Sequence, residues 1–149
     1  MQSLQDVIAD PARRPQVVSA IVGLVDSEVS SRKGLTGAAI KTGYKVVKKL
    51  KGGRLIPDVV DGLLEEFVGA IEPLHAEYRA GDRHDGFDRF LTSNPSRAVN
   101  GLLAVTDSRA ESTPNGVIRK TYQKLRPMAE KQVETSLPGV GRVVDRFCA

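Results

Sequence analysis

Val60-Asp61-Gly62-Leu63-Leu64-Glu65-Glu66-Phe67-Val68-Gly69-Ala70-Ile71-Glu72-Pro73-Leu74-His75-Ala76-Glu77-Tyr78 is the stretch whose reading decides the fold. Val60, Leu63, Leu64, Phe67, Val68, Ile71, Leu74 and Tyr78 recur at the spacing that keeps side chains on one side of an α-helix, with the charged residues between them. An apolar flank of that length has to be buried against other elements, and the rest of the chain supplies only more helices. Val99, Leu102, Leu103 and Thr106 repeat the pattern more weakly, and Val140, Val143, Val144 and Phe147 repeat it at the end of the chain. No segment alternates apolar and polar residues long enough to make a strand. The fold expected is all-α, a single domain over residues 1–149 with about six to eight helices, several of them short.

Proline marks the expected boundaries, because its missing N–H is tolerated in the first turn of a helix and disruptive further in. Ser3 and Asp6 are spaced as an N-terminal capping pair, and Pro11 closes that first short helix. Pro15 opens a helix reaching about Ser31, Pro57 opens another, and Asn94-Pro95 and Thr113-Pro114 share a cap-then-proline order. Pro73 and Pro127 predict kinks or restarts, and Pro138-Gly139 predicts a separate last helix. The Pro15–Ser31 helix is apolar around most of its circumference. Ser19, Gly23 and Ser27 lie at the spacing that admits a neighbouring backbone, so this helix is expected to be central, with Val18, Ile21, Val22 and Val25 buried beside Leu64, Phe67 and Leu103.

The composition fits that core. Of 149 residues 40% are apolar, 5% are aromatic and none is Trp, so the interior is built from aliphatic side chains. One cysteine, Cys148, excludes an intrachain disulfide. The longest uncharged run, Pro15–Val25, falls far short of the roughly 20 residues that span a bilayer. No apolar secretory leader precedes it, so a soluble cytoplasmic protein is expected.

Charge is distributed in blocks around a net +4. Between Glu28 and Asp58 there is no acid, while Arg32, Lys33, Lys41, Lys45, Lys48, Lys49, Lys51 and Arg54 are all basic. On a helix running from Gly34, Lys41, Lys45, Lys48 and Lys49 project within an arc of about 100°, backed by Leu35, Ala39, Val46 and Val47. Arg119, Lys120, Lys124 and Arg126 make a second acid-free basic segment. Two readings follow. Asp58, Asp61, Glu65 and Glu72 of the next helix can screen the stripe, leaving a solvated face. Alternatively Lys41, Lys45, Lys48 and Lys49, joined by Lys120 and Lys124, contact an acidic protein or a polyanion such as nucleic acid, polyphosphate or an anionic leaflet. Scarce aromatics and the lack of a helix-turn-helix spacing argue against sequence-specific nucleic acid.

Catalytic motifs are missing from the sequence. Glu72 and His75 form one Glu-x-x-His pair, but a di-iron bundle needs two; His75, near a helix end, is expected to be a surface or cap residue. Asp82, Asp85 and Asp88 lack the spacing of an EF-hand loop, and neither a Gly-x-Ser-x-Gly nor a phosphate-binding loop occurs. No catalytic residue, metal or cofactor is expected. The function expected is a non-catalytic binding or adaptor protein with a basic helical surface. The alternatives are a self-associating helical protein and, third, an enzyme with a site assembled from distant residues.

The run Gly37-Ala38-Ala39-Ile40-Lys41-Thr42-Gly43-Tyr44-Lys45, with Leu102-Leu103-Ala104-Val105-Thr106-Asp107-Ser108-Arg109-Ala110 and the opening Asp10-Pro11-Ala12-Arg13-Arg14-Pro15, resembles an uncharacterised family of small helical proteins from actinobacteria. The resemblance covers essentially the whole chain. It implies a cytosolic bacterial protein and carries no activity or site residue with it. Within the chain, Ile40–Lys45 and Ile118–Lys124 echo one another, over too short a span to make a repeat.

Overall fold

Ser3 starts the first helix as its spacing predicts. Its Oγ accepts the Asp6 N–H at 3.1 Å, and α1 (Leu4–Ala9) stops before Pro11. The computed structural model describes residues 1–148. Along them follow α2 (Arg14–Ser31), α3 (Gly34–Lys48), a 3₁₀ turn (Leu50–Gly53), α4 (Leu55–Ala80), α5 (Phe87–Thr92), α6 (Pro95–Ser112) and α7 (Gly116–Cys148). No strand occurs among the described residues. Lys51, Gly52 and Gly53 all take positive φ, and this left-handed passage stops α3 and redirects the chain into α4.

The central helix is α4. It buries Val60, Leu63, Leu64, Val68, Ile71, Leu74 and Tyr78, the face that the apolar spacing defines. Around it α1, α2, α5, α6 and α7 complete one hydrophobic core, while α3 sits outside on α2 and α7. The expectation of a central α2 is therefore corrected. That helix fully buries only Val17, and Val18, Ile21, Val22 and Val25 are half-buried. Ser19, Gly23 and Ser27 face solvent, and nothing lies close to Gly23. The close approaches fall on α7 instead: a Cβ on Gly141 would lie 2.2 Å from the Asp88 Cα, and one on Gly139 would lie 2.5 Å from Leu24.

The internal prolines bring a second correction. Pro73 lies within α4, and Pro127 and Pro138 lie within α7, so neither a restart nor a separate last helix occurs. Each proline deprives the carbonyl four residues back of its partner. Those carbonyls belong to Gly69, Gln123 and Glu134, all exposed residues where water can replace the lost donor. A third correction concerns the cap of α7. Asn115 rather than Thr113 supplies it, its Oδ1 accepting from the N–H groups of Val117 at 3.0 Å and Ile118 at 3.2 Å.

Candidate functional site: an apolar cleft and a basic face

The half-burial of α2 has a specific cause. Ile21, Leu24 and Val25 border a cavity of about 370 Å³, although Val18 and Ile21 also pack against the core. Val7 and Ile8 of α1, Ile21 and Val25 of α2, Leu64 and Phe67 of α4, Leu102 and Leu103 of α6, and Val140 and Val144 of α7 line it. The long axis follows from contacts between α2 and α7. Arg13 donates to the Phe147 carbonyl, Leu24 abuts Gly139, and Arg32 reaches Gln132 and Ser136, so the two helices run antiparallel. Between Val17 and Arg32 α2 advances about 22 Å. The cleft is therefore elongated, with lining side chains from both helices along its length.

The two ends of the cleft differ chemically. One end is closed by Leu4, Val7, Phe147 and Cys148, all buried. Burial pushes the Cys148 thiol up to about 11, so it behaves there as an apolar group at neutral pH. At the other end stand Glu28, Arg32, Gln132 and Ser136. The Arg32 guanidinium donates to the Ser136 Oγ at 2.8 Å, the Gln132 carbonyl at 3.1 Å and the Glu28 carbonyl at 3.2 Å. The Glu28 carboxylate lies 3.9 Å from it. The nearest acceptors are thus neutral oxygens, arranged around one cation at the mouth of an apolar channel.

The lysines occupy a different surface. α3 lies antiparallel on α7, because Gly43 faces Thr121 and Leu125 while Arg32, just before α3, faces Gln132 and Ser136. The two basic segments are therefore neighbours, and Lys124 borders the same groove as Ala38, Thr42 and Val46. Lys41, Lys45, Lys48, Lys49, Lys120 and Lys124 are all exposed. Lys48 pairs with Asp26 at 3.0 Å, and it is the one member of the set in an ion pair among the described residues. Of the four acids expected to screen the stripe, Asp58 is exposed and in no ion pair among the described residues, and the other three are engaged elsewhere. Asp61 and Glu65 hold Arg14 at 2.8 and 2.6 Å, and Glu72 holds Arg79 and the Leu4 N–H.

Two tyrosines anchor this pair of helices, and here the faint echo has a structural counterpart. Tyr44 donates to Asp26, which Lys48 also contacts; Tyr122 donates to Asp107, which Arg126 grips at 2.8 and 3.1 Å. In each case a tyrosine and a cation four residues later pin an aspartate of the preceding long helix. The Tyr44 hydrogen bond and then Lys48 hold the Asp26 carboxyl below its usual range, and Arg126 and then Tyr122 do the same for Asp107. Burial and the aspartate raise Tyr44 in turn.

His75 is not at the surface. It is fully buried, packed edge-on against Phe87 with ring centroids 5.0 Å apart, and neither ring nitrogen has a hydrogen-bond partner. Its neighbour in the Glu-x-x-His pair, Glu72, is committed to Arg79 and Leu4. Asp85 pairs with Arg89 at 3.6 Å. The sequence points to the lysines, which the structure leaves exposed, and not to the cleft, whose only signal is a helix apolar over more of its surface than one neighbour can cover.

Fold and cleft together define an all-α bundle with a cavity of small-molecule size. The chain belongs to a family of unknown function (DUF6918), whose model matches residues 4–148. No curated protein and no solved structure matches it. No helix among the described residues is long and apolar enough to cross a membrane.

Proposed function

We propose that this chain is a non-catalytic binding protein whose ligand is a single-chain amphiphile, with its tail in the cleft and its polar end at Arg32. The observation that carries this is the cavity itself, about 370 Å³ and lined mainly by apolar side chains. Apolar surface left facing such a cleft forgoes burial that would stabilise the fold by roughly 25 cal/mol for each Å². Whole domains are stable by only about 5–15 kcal/mol. An occupant recovers that burial. The elongated shape selects a chain over a compact ring system, since one acyl tail spans about half of the roughly 30 Å hydrocarbon core of a bilayer. A carboxylate or other oxygen-rich end would replace neutral oxygens around the Arg32 guanidinium, whose N–H groups now go to Gln132, Ser136, Ser31 and the Glu28 carbonyl.

Palmitate binding to delipidated protein tests this. Palmitate is expected to raise the melting temperature in proportion to the logarithm of its concentration. Val25→Phe places a ring in the cleft, so it should bind palmitate at least tenfold more weakly while melting no lower than wild type without it. Unchanged melting of the wild type, or wild-type binding by the variant, defeats the reading.

Lys41, Lys45, Lys48, Lys49, Lys120 and Lys124 form a second binding surface in this reading, the one that would engage an acidic partner. The antiparallel contact of α3 with α7 supports it by joining the two basic segments. The resemblance to actinobacterial proteins supports a place in the bacterial cytosol.

A further inference from the structure

We propose that α3 and the first turns of α7 form a docking face for an anionic lipid leaflet. This rests on the reading of the lysine surface as a binding surface, and fixes its partner. It does not depend on the cleft. Two independent features meet on these helices. The first is charge: Lys41, Lys45, Lys49, Lys120 and Lys124 are exposed and, among the described residues, in no ion pair. The second is apolar exposure. Of the four large hydrophobic residues left exposed, three, Leu35 at 93%, Val46 at 46% and Val117 at 45%, lie on α3 or the start of α7, and the fourth is Met1.

Their angular placement brings the two features together. Leu35 and Val46 project about 20° apart on α3, with Lys49 and Lys45 beside them, and Val117, Lys120 and Lys124 fall within about 60° on α7. Where α3 and α7 meet, a Cβ on Gly43 would lie only 3.0 Å from Leu125 and 3.1 Å from Thr121, so the helices approach closely and present one broad face. A face that only meets water, or only meets phosphates, gains nothing from a leucine such as Leu35 projecting into solvent. A lipid surface uses both: lysines reach the headgroups while aliphatic side chains enter the acyl boundary. Nucleic acid fits less well. Strand binding uses aromatic stacking platforms, and the tyrosines of these helices, Tyr44 and Tyr122, are turned inward onto Asp26 and Asp107.

Vesicle co-sedimentation of the full chain, with matched DNA titrations, tests the assignment. Wild type should sediment with phosphatidylcholine vesicles containing about one quarter phosphatidylserine and stay in solution with phosphatidylcholine alone. Lys45→Glu/Lys49→Glu/Lys124→Glu should lower the bound fraction at least tenfold. Leu35→Ser/Val46→Ser/Val117→Ser should keep binding at low salt and lose it as salt rises, because only the charge attraction is screened. Every substituted residue is exposed, and circular dichroism verifies that each variant is folded. Val25→Phe, altered only in the cleft, should sediment like wild type. Binding to DNA with no vesicle binding overturns the leaflet and leaves the basic surface standing. Binding to neither overturns both, and serine variants indistinguishable from wild type at every salt concentration overturn the insertion of α3 and α7.

Discussion

His75 shows what a single residue can do when its surroundings are decided far away in the chain. Its helical spacing places it one step from the apolar stripe, and Phe87, Tyr78 and the packing of α5 then enclose it. Burial first, then the neighbouring Arg79, lowers its pKa to about 4, while Asp145 opposes the shift. A neutral histidine in the folded state and a titratable one near 6.5 in the unfolded state have a definite consequence. The unfolded chain binds the extra proton, so stability is fully present above pH 6.5 and is lost as pH falls towards about 4, at up to about 1.4 kcal/mol per pH unit. Asp26, Glu65, Glu77 and Asp107 have lowered carboxyl pKa values and add their own loss at lower pH, as they are protonated. Denaturant unfolding of wild type and His75→Leu between pH 7 and pH 4 should separate the two contributions. The variant is expected to flatten the upper part of the profile and leave the acid limb in place. Parallel profiles would mean that His75 is not the group responsible.

At the scale of the helices, the fit of α5 against α7 depends on Gly141. A methyl group there meets the backbone of Asp88, with the amide nitrogen 2.4 Å away and the Cα 2.2 Å away, and neither atom can move without shifting α5. Gly141→Ala should cost more than the small gain in helix propensity returns, a net loss of about 1–3 kcal/mol. Gly62→Ala, with nothing near its Cβ in α4, should be neutral or stabilising. Chemical denaturation of the two variants gives the comparison, and equal effects would contradict the close contact. The same glycines explain what was legible in the sequence. The stripe of α4, the Ser3 cap and the proline starts of α2 and α6 are local features, written in neighbouring residues. Gly139-Gly141 after Pro138 has the look of a helix stop, yet it is a contact site for Leu24 and α5, which only the folded chain brings there. Pro73, Pro127 and Pro138 break no helix, because the carbonyls they free face water. The lysine stripe was legible from angular spacing. That Lys48 alone of it is paired, with Asp26, was not, since Arg14 of α2 captures Asp61 and Glu65 and Arg79 of α4 captures Glu72.

Across the whole molecule, the cleft divides the bundle into two mechanical parts. α4, with α5 and α6 against it, carries the aromatic cluster of Tyr78, Phe87 and Phe90 and most of the fully buried side chains, the others being Val7 on α1 and Leu137 and Cys148 on α7. α2 and the second half of α7 face each other across the cavity with half-buried Ile21, Leu24, Val25, Val140, Val143 and Val144, so fewer of their apolar contacts are complete. Val140, Val143, Val144 and Phe147, which as a free terminal edge would leave self-association open, are turned into this cleft. Hydrogen exchange tracks local opening, which is easiest where buried contacts are sparse. Amides of α2, which fully buries only Val17, should therefore exchange faster than those of α4. Palmitate in the cleft supplies the missing contacts to both helices at once, so it should slow exchange in α2 and in that half of α7 and leave α4 unchanged. Protection confined to α3 and the start of α7 would place the ligand on the lysine face, and uniform protection would mean global stabilisation without a defined site. Either pattern contradicts an amphiphile lying between α2 and α7.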